Sequence, residues 1–320
     1  MPECKRLTVG VILGGTSSER EVSLASGRAV ASALNPSLYR VRVYDPLVDL
    51  ARLVQDAPRL DLALVMLHGR GGEDGTIQGM LDLLGVPYQC SGVLGCALAL
   101  NKPLAKIHYR RAGIPVAPHV LLHRGQPKAA QKVLDKLGLP VVIKPAREGS
   151  SFGVSIVRYK KYLMPAIRAA WELDHEVMAE KYLPGREITC AVLGNRDPEP
   201  LPLVEIIPGE KYGFFDFEAK YRPGATEEIC PARLDARVTR RIQTLAVRAH
   251  RALRLKGYSR SDFILTQRGP VILETNTIPG MTPTSLLPLA AQAAGMDFPA
   301  LVNRLVELAL EDSPKQRCHL

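Results

Sequence analysis

The sequence predicts an α/β protein in three parts, the first of which is a doubly wound parallel sheet. The chain has 320 residues, which is enough for two or three domains with separate cores. Its hydrophobic fraction of 46% and charged fraction of 23% are typical of globular proteins. Over the first hundred residues apolar runs alternate with helical patterns, and this β-α-β rhythm indicates a parallel sheet covered by helices.

The first part, residues 1–100, contains the β-α-β pattern. Strands are predicted at L-T-V-G-V-I-L, Y-R-V-R-V-Y-D and D-L-A-L-V-M-L. Helices are predicted at S-L-A-S-G-R-A-V-A-S-A-L-N and at T-I-Q-G-M-L-D-L-L-G, which ends at a glycine. Ligands of such sheets bind at the carboxyl ends of the strands, where the loops G-G-T-S-S-E and H-G-R-G-G-E-D-G follow.

The second part, residues 101–190, follows a helical stretch at 92–113 and the breaker I-P-V-A-P. Its predicted strands are H-V-L-L-H, V-V-I-K-P, V-S-I-V-R, E-V-M-A-E-K-Y-L and R-E-I-T-C-A-V-L-G, with helices near 128–137 and up to about Trp171. The third part, residues 191–320, adds the strand L-P-L-V-E-I-I-P, a polar loop at 209–224, a helix near 234–255, two strands and two final helices. A loop of that length is usually functional or mobile.

Composition argues against several classes of protein. The net charge of +10 permits nucleic-acid binding, but the basic residues are spread along the chain and aromatics are only 5%, too few for base stacking. No apolar run approaches the roughly 18 residues of a membrane-spanning helix. The short apolar run near the start is better explained as a strand than as a secretory signal. Six cysteines without a C-x-x-C indicate a cytoplasmic protein with mostly reduced thiols.

The most specific local feature is the stretch Y-S-R-S-D-F-I-L-T-Q-R-G-P-V-I-L-E-T-N, where two apolar strands flank a Gly/Pro turn. A hairpin centred on Arg268 places Asp262 opposite Glu274. It also places Arg260 opposite Asn276. Opposed carboxylates repel each other unless a cation lies between them, and these hard oxygen ligands suit magnesium. We therefore predict a magnesium site, with two exposed carboxylates on a solvated face as the alternative.

Magnesium of this kind implies a nucleotide, and the chain has candidates to bind one. Lys102 and Lys144 each lie beside a proline near the boundary of a regular element, although either lysine alone is more typical of a surface residue. Glu180 and Glu187 bracket K-Y-L-P-G-R, which can hold adenosine through its backbone and ribose through a carboxylate. The loop R-E-G-S-S-F-G-V-S offers glycine N–H groups and hydroxyls to phosphate, with a surface turn as the alternative.

Five stretches form a collinear set that reaches about residue 312: L-G-G-T-S-S-E-R-E-V-S, H-G-R-G-G-E-D-G, K-P-A-R-E-G-S-S-F-G-V-S, E-A-K-Y and E-T-N-T-I-P-G-M-T. Together they resemble the D-alanine–D-alanine ligases of the ATP-grasp superfamily. The resemblance implies an ATP-grasp fold, with an N-terminal doubly wound domain followed by two α+β subdomains that clasp ATP. It also implies ATP-dependent joining of two D-alanines through an acyl phosphate, for peptidoglycan synthesis.

The resemblance assigns four residues to the first D-alanine and to closure of the site. Glu19 would receive its ammonium group, and His68 would lie beside it. Ser150 and Tyr221 would hydrogen-bond with Glu19 to close the site. Three of the four have an alternative: Glu19 as a helix-dipole partner, His68 as a structural histidine and Tyr221 as a packed loop aromatic.

The remaining roles implied by the resemblance concern the second D-alanine, ATP and the metal. Arg260 and the Gly280 N–H would stabilise the oxyanion, while Ser285 and Leu286 would border the second D-alanine. The residues implied for ATP are Lys102, Lys144, Glu180, Lys181, Leu183, Glu187 and Lys220, and those implied for two Mg²⁺ or Mn²⁺ ions are Asp262, Glu274 and Asn276. The chain departs from the usual family residues at Asn101, Phe152, Ser259, Ser261 and Cys90.

The expected partners are small molecules, D-alanine and ATP, without nucleic acid or membrane, and by resemblance the protein is a cytoplasmic homodimer. Two rival functions remain. One is a ligase that takes D-lactate or D-serine second, against which the motif E-A-K-Y with Tyr221 argues by resemblance. The other is a non-catalytic protein that binds a nucleotide or nucleic acid, which would not need the full set of predicted site residues.

Overall fold

The computed structural model describes residues 6–149, 152–209 and 226–311, and these residues form three β-sheets. The first sheet is parallel, in the order β2-β1-β3, and the predicted doubly wound arrangement is confirmed. Its elements are β1 (Leu7–Ile12), α1 (Arg20–Ala33), β2 (Tyr39–Tyr44), α2 (Pro46–Asp56), β3 (Leu62–Val65) and α3 (Thr76–Leu83). Every residue of β3 is buried, which agrees with its unbroken apolar run.

The predicted helical stretch at 92–113 is two helices, α4 (Val93–Leu100) and α5 (Lys102–Arg111). The break lies at Asn101, whose backbone is extended at φ −79° and ψ 90°. Its side-chain oxygen accepts a hydrogen bond from the Leu104 N–H, so Asn101 caps α5, and Pro103 stands in the first turn. A cap and a proline together therefore end one helix and begin the next.

The second sheet is antiparallel, in the order β4-β7-β5-β6. Its elements are β4 (His119–His123), α6 (Ala129–Leu137), β5 (Val141–Pro145), β6 (Ser155–Val157), α7 (Leu163–Leu173) and β7 (Glu176–Lys181). The helices α6 and α7 cover one face and form a core of their own with the strands. The opposite face is left for the cleft described below.

The third sheet is also antiparallel, in the order β11-β10-β8-β12-β13, with the short β9 paired to β8. Its elements are β8 (Arg186–Leu193), β9 (Glu199–Pro200), β10 (Val204–Pro208), β11 (Thr226–Ile229), α8 (Ala236–Ala252), β12 (Tyr258–Thr266) and β13 (Gly269–Asn276). The amphipathic α8 packs with α4 and α5 against this sheet. The sequence did not predict β9 or β11, which are short and polar.

Two C-terminal helices, α9 (Leu286–Ala293) and α10 (Phe298–Glu311), return to the first sheet. Their buried side chains share one core with β1 and β3, and α10 packs on both β3 and α1. The predicted boundary between the second and third parts, after residue 190, falls within β8. In the part of the chain that the structure describes, no helix has the length and apolar character needed to cross a bilayer.

A buried histidine in α8 makes the fold sensitive to acid. Burial lowers the pKa of His250 to about 4, and its Nδ1 lies 2.8 Å from the Ser259 hydroxyl. Between pH 6.5 and 4 the unfolded chain binds this proton and the folded chain does not, so stability falls as pH falls. From pH 7 to pH 5 this one group costs about 2 kcal/mol of unfolding free energy.

We therefore expect His250→Asn to flatten the pH dependence of stability. Urea unfolding of the wild type and the variant at pH 7, 6 and 5 measures it. The wild type should lose about 2 kcal/mol more than the variant over that range. Equal losses would show that His250 is not the titrating group.

Candidate active site

A cleft lies between the second and third sheets and has apolar walls. Val142 and Ile156 line one side, and Ile264 and Leu273 line the other. The cleft also contains eight of the residues predicted for ATP and magnesium, namely Lys102, Lys144, Glu180, Lys181, Leu183, Glu187, Asp262 and Glu274. An apolar slot with charged groups at its end is suited to a nucleotide, whose base is flat and whose phosphates are anionic.

Glu180 is held between two lysines at the inner end of this cleft. Its Oε1 lies 2.5 Å from the Lys106 Nζ and its Oε2 lies 2.6 Å from the Lys144 Nζ. Burial alone would raise the pKa of Glu180, but the charges of Lys106 and Lys144 outweigh it and lower the pKa to about 2. The three charges sum to +1, and Lys144 is thereby fixed at the cleft as a cation for phosphate.

Lys102 connects the glycine-rich loop to the hairpin. Its Nζ donates to the Glu148 carbonyl oxygen at 2.5 Å and lies 3.4 Å from the Glu274 Oε2. Lys102 is the first residue of α5, so the Asn101 cap fixes where its side chain begins. The departure at Asn101 therefore keeps the capping function that an aspartate would supply.

Lys181 lines the cleft without directing its ammonium group into it. The Lys181 Nζ donates to the carbonyl oxygens of Leu137 at 3.0 Å and Leu139 at 3.2 Å. Leu137 is the last residue of α6, where a cation is favourable, and Leu139 follows the C-cap Gly138. What Lys181 offers the cleft is therefore its backbone and alkyl chain, next to Tyr182 and Leu183 in the strand-to-strand connection.

The hairpin formed by β12 and β13 carries the predicted metal residues in the predicted pairs. Asp262 lies opposite Glu274 and Arg260 lies opposite Asn276, so all four share one face of the sheet, here called the hairpin face. The pairing that the sequence analysis derived from the hairpin is confirmed. The opposite face, toward the core, carries Ser261, whose hydroxyl lies 2.8 Å from the Thr275 hydroxyl.

Asp262 makes several hydrogen bonds on the hairpin face. Its carboxylate accepts a bond from the Thr189 hydroxyl at 2.6 Å and one from the Asn276 amide at 3.2 Å. The Arg260 guanidinium donates two further bonds, at 2.9 and 2.8 Å. This bidentate geometry fixes the planes of both groups, and Arg260 is only slightly exposed.

The residues of the hairpin face fit magnesium by their chemistry. Two carboxylates and one amide present only oxygen ligands, and here Arg260 and Lys102 supply the positive charge beside them. Among the described residues no group of three or more His, Cys, Asp or Glu side chains is placed to hold a metal. A magnesium ion at Asp262, Glu274 and Asn276 would thus need phosphate or water oxygens to complete its six ligands.

A second cavity lies between the first sheet and the hairpin. It contains the six predicted D-alanine residues that the structure describes, namely Glu19, His68, Arg260, Gly280, Ser285 and Leu286. Glu21, Glu73 and Glu228 add acidic groups to its wall. A cavity lined by several carboxylates and one guanidinium suits a small molecule that carries both an ammonium and a carboxylate group.

Glu19 lies at the start of α1, where the helix N-terminus favours a carboxylate, and it is 5% exposed. Glycines surround it closely. A Cβ atom built on Gly149 would lie 2.5 Å from the Glu19 Oε2, and one built on Gly69 would lie 2.9 Å from the same atom. The glycine-rich loop thus reaches the carboxylate of Glu19 because Gly149 has no side chain.

We expect Gly149→Ala to displace either Glu19 or the loop and so to weaken the use of D-alanine. The Michaelis constant for D-alanine should rise about 10-fold to 100-fold, with a smaller change for ATP, since misplacements near 1 Å have effects of this size. Gly92→Ala is the matched control, because its added Cβ would meet only the Tyr88 hydroxyl at 3.7 Å. Equal Michaelis constants for the two variants would contradict the contact with Glu19.

A small third cavity lies between the other two and shares walls with both. It has Lys102, Glu148 and Glu274 in common with the cleft, and Glu73 and Asn276 in common with the second cavity. The two larger sites therefore meet beside the hairpin face. A group transferred from a nucleotide in the cleft has a short path to a molecule in the second cavity.

Three predicted site residues, Ser150, Lys220 and Tyr221, lie outside the described residues. The sequence analysis also missed several groups that the fold brings to the site: Ser26, Glu73, Lys106, Glu148 and Glu228. Glu73 and Glu148 stand within motifs that were quoted whole, so their charge was a usable signal. The sequence carried no such signal for Lys106, because nothing in its sequence context shows that it is fully buried.

Two residues that depart from the family pattern have partners in the core. The Ser259 hydroxyl lies 2.8 Å from the His250 Nδ1, and the Ser261 hydroxyl bonds to Thr275. Thr275 also accepts a bond from the Tyr109 hydroxyl at 2.8 Å. Both serines alternate with Arg260 and Asp262 along β12, so they support the hairpin face from behind.

The cleft between two antiparallel sheets suits a nucleotide, and the hairpin at its end fits magnesium. A cavity suited to a small zwitterion adjoins them. Together these features define an ATP-grasp enzyme that couples ATP to ligation. Family models described as the D-ala D-ala ligase N-terminus and C-terminus match residues 48–91 and 109–307. The chain belongs to the D-alanine–D-alanine ligase family, whose members use ATP and Mg²⁺.

Relatives of known name agree with this assignment. The chain is 56% identical to the D-alanine–D-alanine ligase of Syntrophobacter fumaroxidans, over 96% of this chain and 99% of that one. A D-alanine–D-alanine ligase from Bacillus anthracis complexed with ATP has 33% identity and a TM-score of 0.85, covering 97% of this chain and 99% of its own. A D-Ala:D-Ser ligase from Enterococcus faecalis has 33% identity and a TM-score of 0.82, with 95% and 100% covered.

Proposed function

We propose that the chain joins two D-alanines into D-alanyl-D-alanine, with ATP cleaved to ADP and phosphate, for peptidoglycan precursors. One observation carries the proposal. A single hairpin face presents Asp262 and Glu274 to the nucleotide cleft, and Arg260 and Asn276 to the second cavity. The phosphate donor and the carboxylate acceptor are thereby held on two sides of one metal-binding surface.

In the first step, a carboxylate oxygen of the first D-alanine attacks the terminal phosphorus of ATP, and the bond to the ADP oxygen breaks. Lys102 and Lys144, with Lys220 from outside the described residues, neutralise the phosphates. Glu187 holds the ribose, while Glu180, Lys181 and Leu183 form the inner end and the edge of the adenosine site. Asp262, Glu274 and Asn276 would hold magnesium, which would supply positive charge to the transferring phosphoryl group.

In the second step, the amine of the second D-alanine attacks the acyl carbon, loses a proton and expels phosphate. Glu19 holds the ammonium group of the first D-alanine, while Ser285 and Leu286 hold the second molecule. The Arg260 guanidinium and the Gly280 N–H donate to the oxyanion that forms on the acyl oxygen. By the family resemblance, Ser150 and Tyr221, which lie outside the described residues, would hydrogen-bond with Glu19 and help to exclude water, which would hydrolyse the acyl phosphate.

The second substrate is D-alanine rather than D-lactate or D-serine in this proposal. The chain is 56% identical to a relative named for D-alanine alone. Phosphate release from ATP and magnesium should rise with D-alanine and stay near background with L-alanine, D-serine or D-lactate alone. Competition of D-alanine with D-lactate at several pH values tests the choice, and preferential use of D-lactate would overturn it.

The assembly and location are further parts of the proposal. We propose a homodimer that works in the cytoplasm, where ATP is supplied and where the four described cysteines would stay reduced. We also propose the division at residues 1–100, 101–190 and 191–320 as working domain bounds, with one sheet in each and β8 crossing the second boundary. Light scattering of the purified chain would measure a single-chain mass if the dimer were wrong.

A further inference from the structure

The segment Ile278–Pro279–Gly280–Met281 follows β13 and passes along the second cavity. Ile278 is 1% exposed and Met281 is fully buried, so both ends of the segment are enclosed by protein. The segment includes Gly280, whose N–H is the proposed oxyanion donor. Hydrogen bonds near both ends therefore decide where this N–H points.

Glu73, from the loop before α3, holds the first end of the segment. Its Oε1 accepts a bond from the Ile278 N–H at 3.3 Å, and its Oε2 accepts one from the Gly69 N–H at 2.9 Å. Glu73 is 7% exposed. Its burial, and to a lesser extent the charge of Glu19, raise its pKa to about 8, although the two N–H bonds act to lower the pKa. Its two oxygens therefore join the loop at Gly69 to the Ile278 end of the segment.

His68 and Ser26 hold the same segment at two further points. The His68 Nδ1 lies 2.9 Å from the Ile278 carbonyl oxygen, and its Nε2 lies 3.3 Å from the Ser26 hydroxyl. The Met281 N–H donates to the Ser26 hydroxyl oxygen at 3.2 Å. The carbonyl can only accept, so Nδ1 carries the proton, Nε2 accepts from Ser26, and every polar atom in the chain of bonds is satisfied.

This arrangement requires a neutral imidazole. Burial lowers the pKa of His68 to about 4, so the neutral form is present at physiological pH. Both imidazole nitrogens are then used within the protein, since one donates to Ile278 and the other accepts from Ser26. His68 consequently has no ring nitrogen left with which to bind D-alanine.

We propose that Ser26, His68 and Glu73, here called the clamp, are positioning residues that fix the segment 278–281 so that the Gly280 N–H meets the oxyanion of the ligation step. The inference rests on the proposed function and replaces the substrate contact assigned to His68 with an indirect role. The clamp acts through its hydrogen bonds to the backbone of Ile278 and Met281. Oxyanion donors need placement within about 0.5 Å, which these long-range bonds provide.

Ser26→Ala is the cleanest test, because it removes both the bond to Met281 and the bond to His68 with little change in volume. We expect kcat for dipeptide formation to fall about 10-fold to 100-fold, with the Michaelis constants for ATP and D-alanine nearly unchanged. Ser26→Thr, which keeps the hydroxyl, should restore most of kcat. Adding His68→Asn to Ser26→Ala should give less than the product of the two single effects, because both act on one segment.

A second readout separates positioning from general loss of structure. Exchange of ¹⁸O between the β,γ-bridging position and the non-bridging positions of the β-phosphate of ATP reports reversible acyl phosphate formation, because the bridging oxygen leaves with ADP and becomes equivalent to its neighbours. The clamp acts on the ligation step, which follows acyl phosphate formation. The ratio of the isotope-exchange rate to the rate of dipeptide formation should therefore rise in Ser26→Ala. Glu205→Gln is the control, since Glu205 is as buried as Glu73 but pairs with Arg186 away from both cavities. It should leave this ratio unchanged.

The outcomes separate the two hypotheses. If the wild type makes no dipeptide, the proposed function fails. If the wild type is active and Ser26→Ala raises the Michaelis constant for D-alanine at constant kcat, then the residues contact substrate and the clamp is wrong. A parallel fall of exchange and ligation, or no rescue by Ser26→Thr, also overturns it.

Discussion

Replacing Glu274 with glutamine is expected to lower kcat about 1000-fold while leaving the fold intact. The substitution keeps the shape of the side chain and removes one of the two charges proposed to hold magnesium. Metal stabilisation of a transferring phosphoryl group is worth several kcal/mol, and about 4 kcal/mol corresponds to a factor of 1000. Glu274 is also 3.4 Å from the Lys102 Nζ, so that lysine loses its neighbouring charge.

The measurement is kcat as a function of magnesium concentration. Half-saturation should move to much higher magnesium in Glu274→Gln, and the lost rate should not return fully at saturation. Glu199→Gln is the control, because Glu199 is exposed on β9 of the same sheet and outside both cavities. An unchanged magnesium dependence in Glu274→Gln would remove Glu274 from the metal site.

Arg260→Lys should cost about 100-fold to 1000-fold in kcat although it preserves the charge. The Arg260 guanidinium forms two parallel bonds to Asp262 and also lines the D-alanine cavity, so one planar group joins the metal site to the oxyanion site. A lysine ammonium cannot make both contacts with this geometry. Loss of a single oxyanion donor accounts for the size of the effect.

Steady-state kinetics with D-alanine as the varied substrate check this prediction. Arg186→Lys is a matched control, since Arg186 makes a similar bidentate pair with Glu205 at 2.6 Å for both bonds, on the neighbouring strand β8. That variant should keep kcat while changing stability slightly. A loss in Arg260→Lys no larger than in the control would mean that Arg260 only supports the sheet.

The hairpin shows why local pairing was predictable and why its detail was not. A turn centred on Arg268 would place Thr266 opposite Pro270, but the structure pairs Thr266 with Gly269. The register then shifts, because Asp262 pairs with Glu274 whereas Phe263 pairs with Ile272, so Leu273 is an extra residue in β13. This bulge restores the predicted pairs at the site. Alternation and turn residues gave the hairpin, but no sequence signal located the bulge.

The groups missed by the sequence analysis depend on contacts between distant parts of the chain. Glu73 bonds to Ile278, which is 205 residues away, and Ser26 bonds to Met281, which is 255 residues away. These bonds exist because α9 and α10 return to the first sheet. Apolar periodicity predicts each helix, but it does not predict which sheet a helix covers. Lys106 was missed for the same reason, since its helix α5 packs against the third sheet whereas its partner Glu180 lies in β7 of the second sheet.

The most direct test of the central claim is the stoichiometry of the reaction. Purified protein with D-alanine, ATP and magnesium should produce one ADP and one phosphate for each D-alanyl-D-alanine, with the dipeptide identified by mass spectrometry. The account predicts this one-to-one ratio and no dipeptide when L-alanine replaces D-alanine. Consumption of ATP that depends on D-alanine but yields no dipeptide would contradict it, and so would dipeptide formation without ADP.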